Sequence, residues 1–447
     1  MKLNSLTLHN FRQYDHGLFH FHNHFTVLIG SNGKGKTTVL DALSIMLNTY
    51  FQGSRMSTGG GTIKRSDARF LFTEKEGQVF RESHQDVWLQ ATAIVDGTPV
   101  NWQRDVGDRG GKAKDFVKRG ADTRKQISAG KSPNLPLLLY YGAGRLWDKH
   151  DDIETEKPQS QLDAYRYCLD PKSDHKAFEK WFKKLSYIRL QKGQDIPALI
   201  AVEKAVKCCI PGAVKFYYDT EYEQLIIQLE NDGFVPFDHL SDGYRNMVGI
   251  VADIAHRASR LNPHLGVDAA TNTQGVVLID EIDLHLHPKW QREVVTNLKT
   301  AFPALQFIAS THSPFILQAL EPGEVIDLEQ PWDSSNFSPA DDGIAAPGPG
   351  GEYSNRSIED IIEKVMGIPV PQRGVRYQRM YETAQAYYSL LKKSAIDDET
   401  TKEQLKTKLD ELIAPFSDNV AYHAFLAMER LAAGMGSSST TTGQKQD

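Results

Sequence analysis

Residues 24–30 read HFTVLIG and residues 30–38 read GSNGKGKTT. An apolar, β-branched run stops at a glycine. A loop of small and basic residues follows, and TTVLDALSIMLNTYF (37–51) then places apolar residues at helical spacing. The loop fits G-x-x-x-x-G-K-[ST], and it has the strand before and the helix after that the pattern requires. Its glycines allow backbone N–H groups to approach phosphates closely, and the helix that starts there turns its positive dipole end toward them. The expected nucleotide contacts are Gly30, Ser31, Asn32, Gly33, Lys34, Gly35, Lys36, Thr37 and Thr38. Lys36 reaches the β- and γ-phosphates of ATP, and the Thr37 hydroxyl binds Mg²⁺.

Two other segments complete that chemistry. VVLIDE (276–281) is a buried strand ending in two acids. Asp280 is placed to hold Mg²⁺ through water, and Glu281, one residue on, to polarise an attacking water as general base. STHSP (310–314) ends the next buried strand, and His312 there can sense the γ-phosphate. The predicted catalytic set is therefore Glu281, His312 and Lys36, and the metal set is Thr37 and Asp280.

The order GSNGKGKTT, LSDGYR, VLIDEIDLHLHP, STHSP resembles that of the ABC ATPases, most closely the branch of the SMC, Rad50 and RecF proteins. The N-terminal LTLHNFRQYD is similar to that branch's opening strand, with Arg12 near the nucleotide. The resemblance implies an α/β fold: an ABC-type P-loop ATPase head of mixed β-sheets with a helical subdomain, plus a C-terminal helical region. It also implies that LSDG is a signature motif. Ser241, Asp242 and Gly243 then face the ATP held by a second copy, which makes a homodimer, open to higher oligomers, part of the mechanism. Ser241 offers a hydroxyl, Gly243 a close approach and the helix start an anion site. IDLHLHP (282–288) resembles the family's D-loop. The family's Q-loop glutamine has no counterpart at the end of LLLYYGAGRLW (137–147), which leaves Arg145, Gln159 and Gln161 as alternatives.

Composition bounds the rest. The 447 residues are 40% hydrophobic and 24% charged, with a net charge of -6, so any nucleic-acid contact has to be local. The three cysteines, Cys168, Cys208 and Cys209, have neither disulfide-framework nor zinc spacing. With no long apolar run, a cytoplasmic protein without a secretion signal or a membrane span is expected. The expected organisation is an ATPase N-terminal part (1–150), a helical subdomain (151–210) and an ATPase C-terminal part (211–330). A linker (331–356), a helical assembly or docking region (357–436) and a disordered tail (437–447) follow. Residues 54–67 are expected to form a mobile loop. Residues 104–131 form a basic segment, either a solvated loop or a phosphate contact. PKWQREVVTNLKTAF (288–302) is expected as one amphipathic helix.

Between residues 38 and 240 there is no sustained heptad repeat, unlike the long-armed members of the branch. YYGAGRLW, HLSDGYRNMVGIVADIAHRASRLNPHL and LIDEIDLHLHPKWQ resemble the ATPase subunit of the Septu antiphage system, also retron-associated. That resemblance implies a separate HNH-type nuclease as partner and nucleic acid met through the complex. Tyr377, Met380, Tyr381, Tyr387 and Tyr388 are candidate docking anchors, with ordinary packing against the ATPase part as the alternative. Neither a Toprim acid pattern nor a His-Asn-His set is found, so no nuclease centre is expected in this chain. Two other readings stay open: a RecF/Rad50-like repair ATPase that binds DNA directly, and a scaffold that binds ATP and barely turns it over.

Overall fold

The structure is a computed structural model. It describes residues 1–329 except 55, 76–77, 108–110, 146–159, 173–174 and 232, then 357–364 and scattered positions from 379 to 428. The chain forms two compact units, Met1–Ile361 and Ile362–Asp447.

In the first unit, β1 (Lys2–Phe11), β2 (Tyr14–His20) and β3 (Phe25–Ile29) lead into α1 (Lys36–Asn48). Two hairpins follow: β4 (Phe70–Lys75) with β5 (Gln78–Ser83), and β6 (Trp88–Val95) with β7 (Thr98–Asp105). The second turns at Asp96-Gly97, both at positive φ as a type I′ turn requires. Next come α2 (Lys114–Ser128), β8 (Leu137–Tyr141), α3 (His175–Lys192) and α4 (Pro197–Cys209). A three-stranded meander, β9 (Ala213–Asp219), β10 (Gln224–Leu229) and β11 (Gly233–Pro236), precedes α5 (Asp242–Leu261) and α6 (Ala269–Asn272). The remainder is β12 (Gly275–Ile279), α7 (Pro288–Gln291), α8 (Val294–Ala301), β13 (Leu305–Ser310), α9 (Pro314–Leu317) and β14 (Val325–Asp327). Finally comes α10 (Ile358–Lys364).

The central sheet has the order β14-β3-β13-β12-β8, with every pairing parallel. Strands β3, β8, β12 and β13 are buried along their whole length. That is why they read as unbroken apolar runs rather than alternating ones. An antiparallel sheet, β2-β1-β6-β7, joins it through Gln306, a wholly buried amide on β13. Its oxygen accepts from Leu3 N (2.7 Å), and its nitrogen donates to the carbonyls of Leu3 (2.8 Å) and His22 (2.9 Å). A buried polar side chain fully paired in this way fixes the register between two sheets.

Several expectations need correction. Residues 54–67 are not a free loop. Asn48 Nδ2 donates to Gly60 O (2.9 Å), Thr58 Oγ1 donates to Asn48 Oδ1 (2.7 Å), and Tyr167 N and Leu169 N donate to the carbonyls of Ser57 and Thr58 (2.8 Å each). The basic segment is largely helix α2, not a solvated loop. Its one aromatic, Phe116, is wholly buried and stacks on Trp102 with ring centroids 4.0 Å apart. Arg119 and Arg124 are spent on the carbonyls of Val95 and Tyr50. The single helix expected after Pro288 is two, α7 and α8. Gln291 ends the first by donating to Leu286 O (2.8 Å) and accepting from Ser313 Oγ (2.6 Å), whereas α8 buries Val294, Val295 and Leu298. The β4–β5 hairpin was not anticipated from the sequence.

Of the candidate anchors, Tyr387 is wholly buried and donates to Leu426 O (3.4 Å) within the second unit, so it packs rather than protrudes. Tyr377, Met380, Tyr381 and Tyr388 lie outside the described residues, as do the expected linker and tail. Among the described residues no helix is long and apolar enough to cross a membrane.

Candidate functional site

The carboxyl ends of the parallel strands converge, which is where ligands enter open α/β sheets. Strand β3 delivers the 30–35 loop, β12 delivers Asp280 and Glu281, β13 delivers Ser310 to His312, and β8 delivers Gly142 to Arg145.

The loop is shaped for an anion. Gly30, Gly33 and Gly35 have φ of 142°, 86° and 94°. Gly35 caps α1 without any side-chain hydrogen bond to the helix start, so the first amides of the helix stay available. A Cβ on Gly35 would lie 1.9 Å from Gln13 Nε2 and 2.7 Å from Tyr14 Oη, so a side chain there would displace both, and the φ of 94° independently favours glycine. Lys36 is 8% exposed, and its Nζ donates to Gly30 O (2.7 Å) and Ser31 O (3.3 Å). Burial pushes its ammonium below the ordinary lysine range, while Asp280 and Glu281 pull the other way.

Thr37 Oγ1 donates to Asp280 Oδ2 at 2.8 Å, and Asp280 Oδ1 accepts from Ser310 Oγ. Two hard oxygen donors thus stand side by side, of the kind Mg²⁺ takes directly or through its retained waters. The donor set fits that ion. Glu281 sits at φ 49°, a left-handed conformation seldom adopted by a long side chain. Its N–H donates to Ser310 Oγ (2.8 Å). His312 is exposed just past the end of β13.

The LSDG stretch occupies a different place. Ser241 is the N-cap of α5, exposed, and its hydroxyl makes no capping bond. Asp242 pairs with Arg245. Gly243 is pressed on the loop after β12, where a Cβ would lie 2.4 Å from His285 O. Among the described residues, no hydrogen bond or ion pair joins residues 241–243 to residues 30–38. The Lys36–Thr37–Asp280–Ser310–Glu281 group is therefore assembled within the chain, and the serine and glycine of LSDG are not part of it.

Arg12 is paired with two carboxylates. Its guanidinium binds Asp41 Oδ2 (2.6 Å) and Asp67 Oδ1 (3.1 Å), while its neighbours Gln13 and Tyr14 touch the loop. Gln13 Oε1 accepts from Thr38 Oγ1 (3.1 Å), and Tyr14 Oη donates to Lys34 O (2.8 Å). Sequence reasoning missed both, although they stand beside the arginine it chose. It also missed Glu329, which accepts from Ser31 N (2.7 Å) and pairs with Lys34 (2.8 Å). These contacts hold the Glu329 carboxyl down at about 2, the bond from Lys34 foremost. No motif marks Glu329; only the pairing of β14 with β3 brings it to the loop. Of the alternatives for the Q-loop position, Arg145 is buried in the core of the site, Gln161 opens a short 3₁₀ turn (Gln161–Tyr165), and Gln159 lies outside the described residues.

The chain is similar to several known proteins. Residues 5–205 match a family model described as "AAA domain", and residues 129–318 match one described as "AAA domain, putative AbiEii toxin, Type IV TA system". The chain is 26% identical over 368 residues to the "Retron Ec83 probable ATPase" of Escherichia coli, a match that covers 66% of this chain and 65% of that protein. It is 40% identical over 127 residues to the "Septu protein PtuA" of Bacillus mycoides (strain KBAB4), covering 28% of this chain and 17% of the relative. The chain thus spans just under two thirds of the retron relative's length and a much smaller share of the Septu protein. Among solved structures, the SMC head domain from Thermotoga maritima aligns with 78% of this chain and 99% of its own length, at 14% identity and a TM-score of 0.40.

Proposed function

We infer that this chain is an ABC-type ATPase of the SMC/Rad50-like branch, that it is the ATP-hydrolysing subunit of an antiphage defence complex, that it dimerises around two ATP, and that it regulates a partner HNH-type nuclease. The observation that carries the chemistry is the Thr37–Asp280 contact, which joins the phosphate loop to the acid-bearing strand end with Glu281 beside it. The likeness to a retron probable ATPase and to a Septu protein supports the ATPase and defence parts of this reading.

The substrate's phosphates bind at the amide-lined start of α1, where Lys36 adds a buried positive charge. Thr37 and Asp280 would hold Mg²⁺, which would supply charge neutralisation to the bound phosphates. Glu281 orients a water and takes its proton as the water oxygen bonds to the γ-phosphorus. The bond from that phosphorus to the β-phosphate oxygen breaks, giving ADP and phosphate. His312 donates to the γ-phosphate. Ser241 and Gly243 of a second copy cap the same phosphate; the free hydroxyl and uncapped helix start of α5 support this.

Glu281→Gln tests the assignment. Removing a general base costs about 10²–10⁴-fold in rate. The variant is expected to lose turnover on that scale while still binding ATP. Equal turnover by wild type and variant contradicts the reading. Native mass spectrometry of the chain expressed with its neighbouring genes tests the partner: a complex without a nuclease subunit removes that part.

A further inference from the structure

One buried cation connects the parts of the site that the reaction needs in register. Arg145 lies just beyond β8 and is 2% exposed. Its Nη1 donates to Gly142 O (2.9 Å) and Asp280 O (2.6 Å), its Nη2 to Glu281 O (2.9 Å), and its Nε to Asn246 Oδ1 (2.7 Å). Four of the five N–H groups of the guanidinium are used in this way, so its planar fork is spent on the protein itself. Burial lowers its pKa to about 10, with Asp280 and Glu281 opposing, which leaves it charged at neutral pH. Asn246, 1% exposed and in the second turn of α5, passes the connection on: its Nδ2 donates to Leu284 O (3.1 Å).

The consequence falls on Glu281. A left-handed glutamate persists only where its surroundings impose it. Here both its peptide groups are held, the N–H by Ser310 Oγ and the carbonyl by Arg145. The second hold runs through Asn246 into α5, the helix whose first turn carries Ser241 and Gly243.

We propose that Arg145 and Asn246 are positioning residues that fix the backbone of Glu281 and tie it to the signature helix of the same chain, so that seating of Ser241 and Gly243 on one ATP sets the general base at the other. This rests on the hydrolytic reading above and adds to it the side chains that couple the two sites.

Asn246→Ala is the first test, since it cuts the link while leaving Arg145 its carbonyl partners. ATP affinity is expected to stay near wild type, with some fall in melting temperature from the unpaired Arg145 Nε, while kcat falls about tenfold or more, a part of what a general base supplies. Arg145→Lys keeps the charge but not the fork, and the same split between kcat and KM is expected. If Arg145→Lys does not fold, Asn246→Ala decides alone. The decisive measurement combines Asn246→Ala with Glu281→Gln. A residue that acts through Glu281 adds no further loss to Glu281→Gln, whereas an independent structural defect multiplies it. Wild-type kcat in Asn246→Ala, or multiplied losses in the double variant, overturns the proposal and leaves the assignment of Glu281 standing. Wild-type turnover in Glu281→Gln defeats the base assignment and this coupling with it.

Discussion

At the scale of single residues, α5 carries a buried cluster of titratable side chains. Asp253 accepts from Arg257 Nε (3.0 and 2.9 Å) and from Tyr141 Oη (2.9 Å), and its Oδ1 stands 3.5 Å from His256 Nδ1. His256 is 3% exposed and lies against Trp181, ring centroids 4.3 Å apart, with Phe178 beyond. Burial lowers its pKa from 6.5 to about 4, despite Asp253 and with Arg260 and Arg257 adding to the fall. The unfolded chain therefore binds the proton first as pH drops. Stability from this site is complete above about 6.5 and is lost progressively down to about 4. Denaturant titrations across that window should show wild type losing about 1–3 kcal/mol, and His256→Phe a visibly flatter profile. Asp253, whose folded value is depressed, acts at still lower pH. An unchanged slope in the variant assigns the effect elsewhere. In the sequence this histidine stands one turn from Asp253 and Arg260, and nothing there marks it as buried.

At the scale of elements, α2 shows how composition misleads. Residues 104–131 are rich in lysine and arginine and contain one aromatic, which reads as solvated chain. Yet the helix docks through that aromatic and through Gly120, where a Cβ would lie 2.0 Å from Tyr50 O. The spacing of Phe116 and Gly120 by one helical turn was the available signal. Truncating a buried phenylalanine costs about 3–5 kcal/mol. Phe116→Ala should therefore undock α2, read as lost amide-exchange protection over residues 114–128 while α1 keeps its own. Full protection in the variant contradicts the docking. The β4–β5 hairpin was missed for a related reason. Both faces are solvated, with Phe72 and Val79 each 68% exposed, so no buried face imposes an alternating pattern. Strands β3, β8, β12 and β13 of the central sheet were legible because each is buried along its whole length.

At the scale of the whole molecule, the proposed mechanism needs two copies. Ser241→Arg places a bulky charge at the exposed start of α5, distant in bonding terms from the phosphate loop. The expectation is that ATP still binds the isolated monomer, while the ATP-dependent dimer seen by light scattering disappears and turnover falls about a hundredfold or more. Loss of ATP binding by the monomer instead would place Ser241 in the site of its own chain. By itself the sequence determined the sheet class, the phosphate loop and the acids that follow β12, because these depend on local pattern: a buried run, a glycine where only φ above zero serves, an acid one step past a strand. Only the tertiary structure decided what holds those residues in place. Gln13, Tyr14 and Glu329 brace the loop, and Arg145 and Asn246 fix Glu281, through contacts between segments far apart in the chain. A hydrogen bond across such a separation leaves no periodicity or spacing in the sequence; it exists only once sheet order has brought the strand ends together.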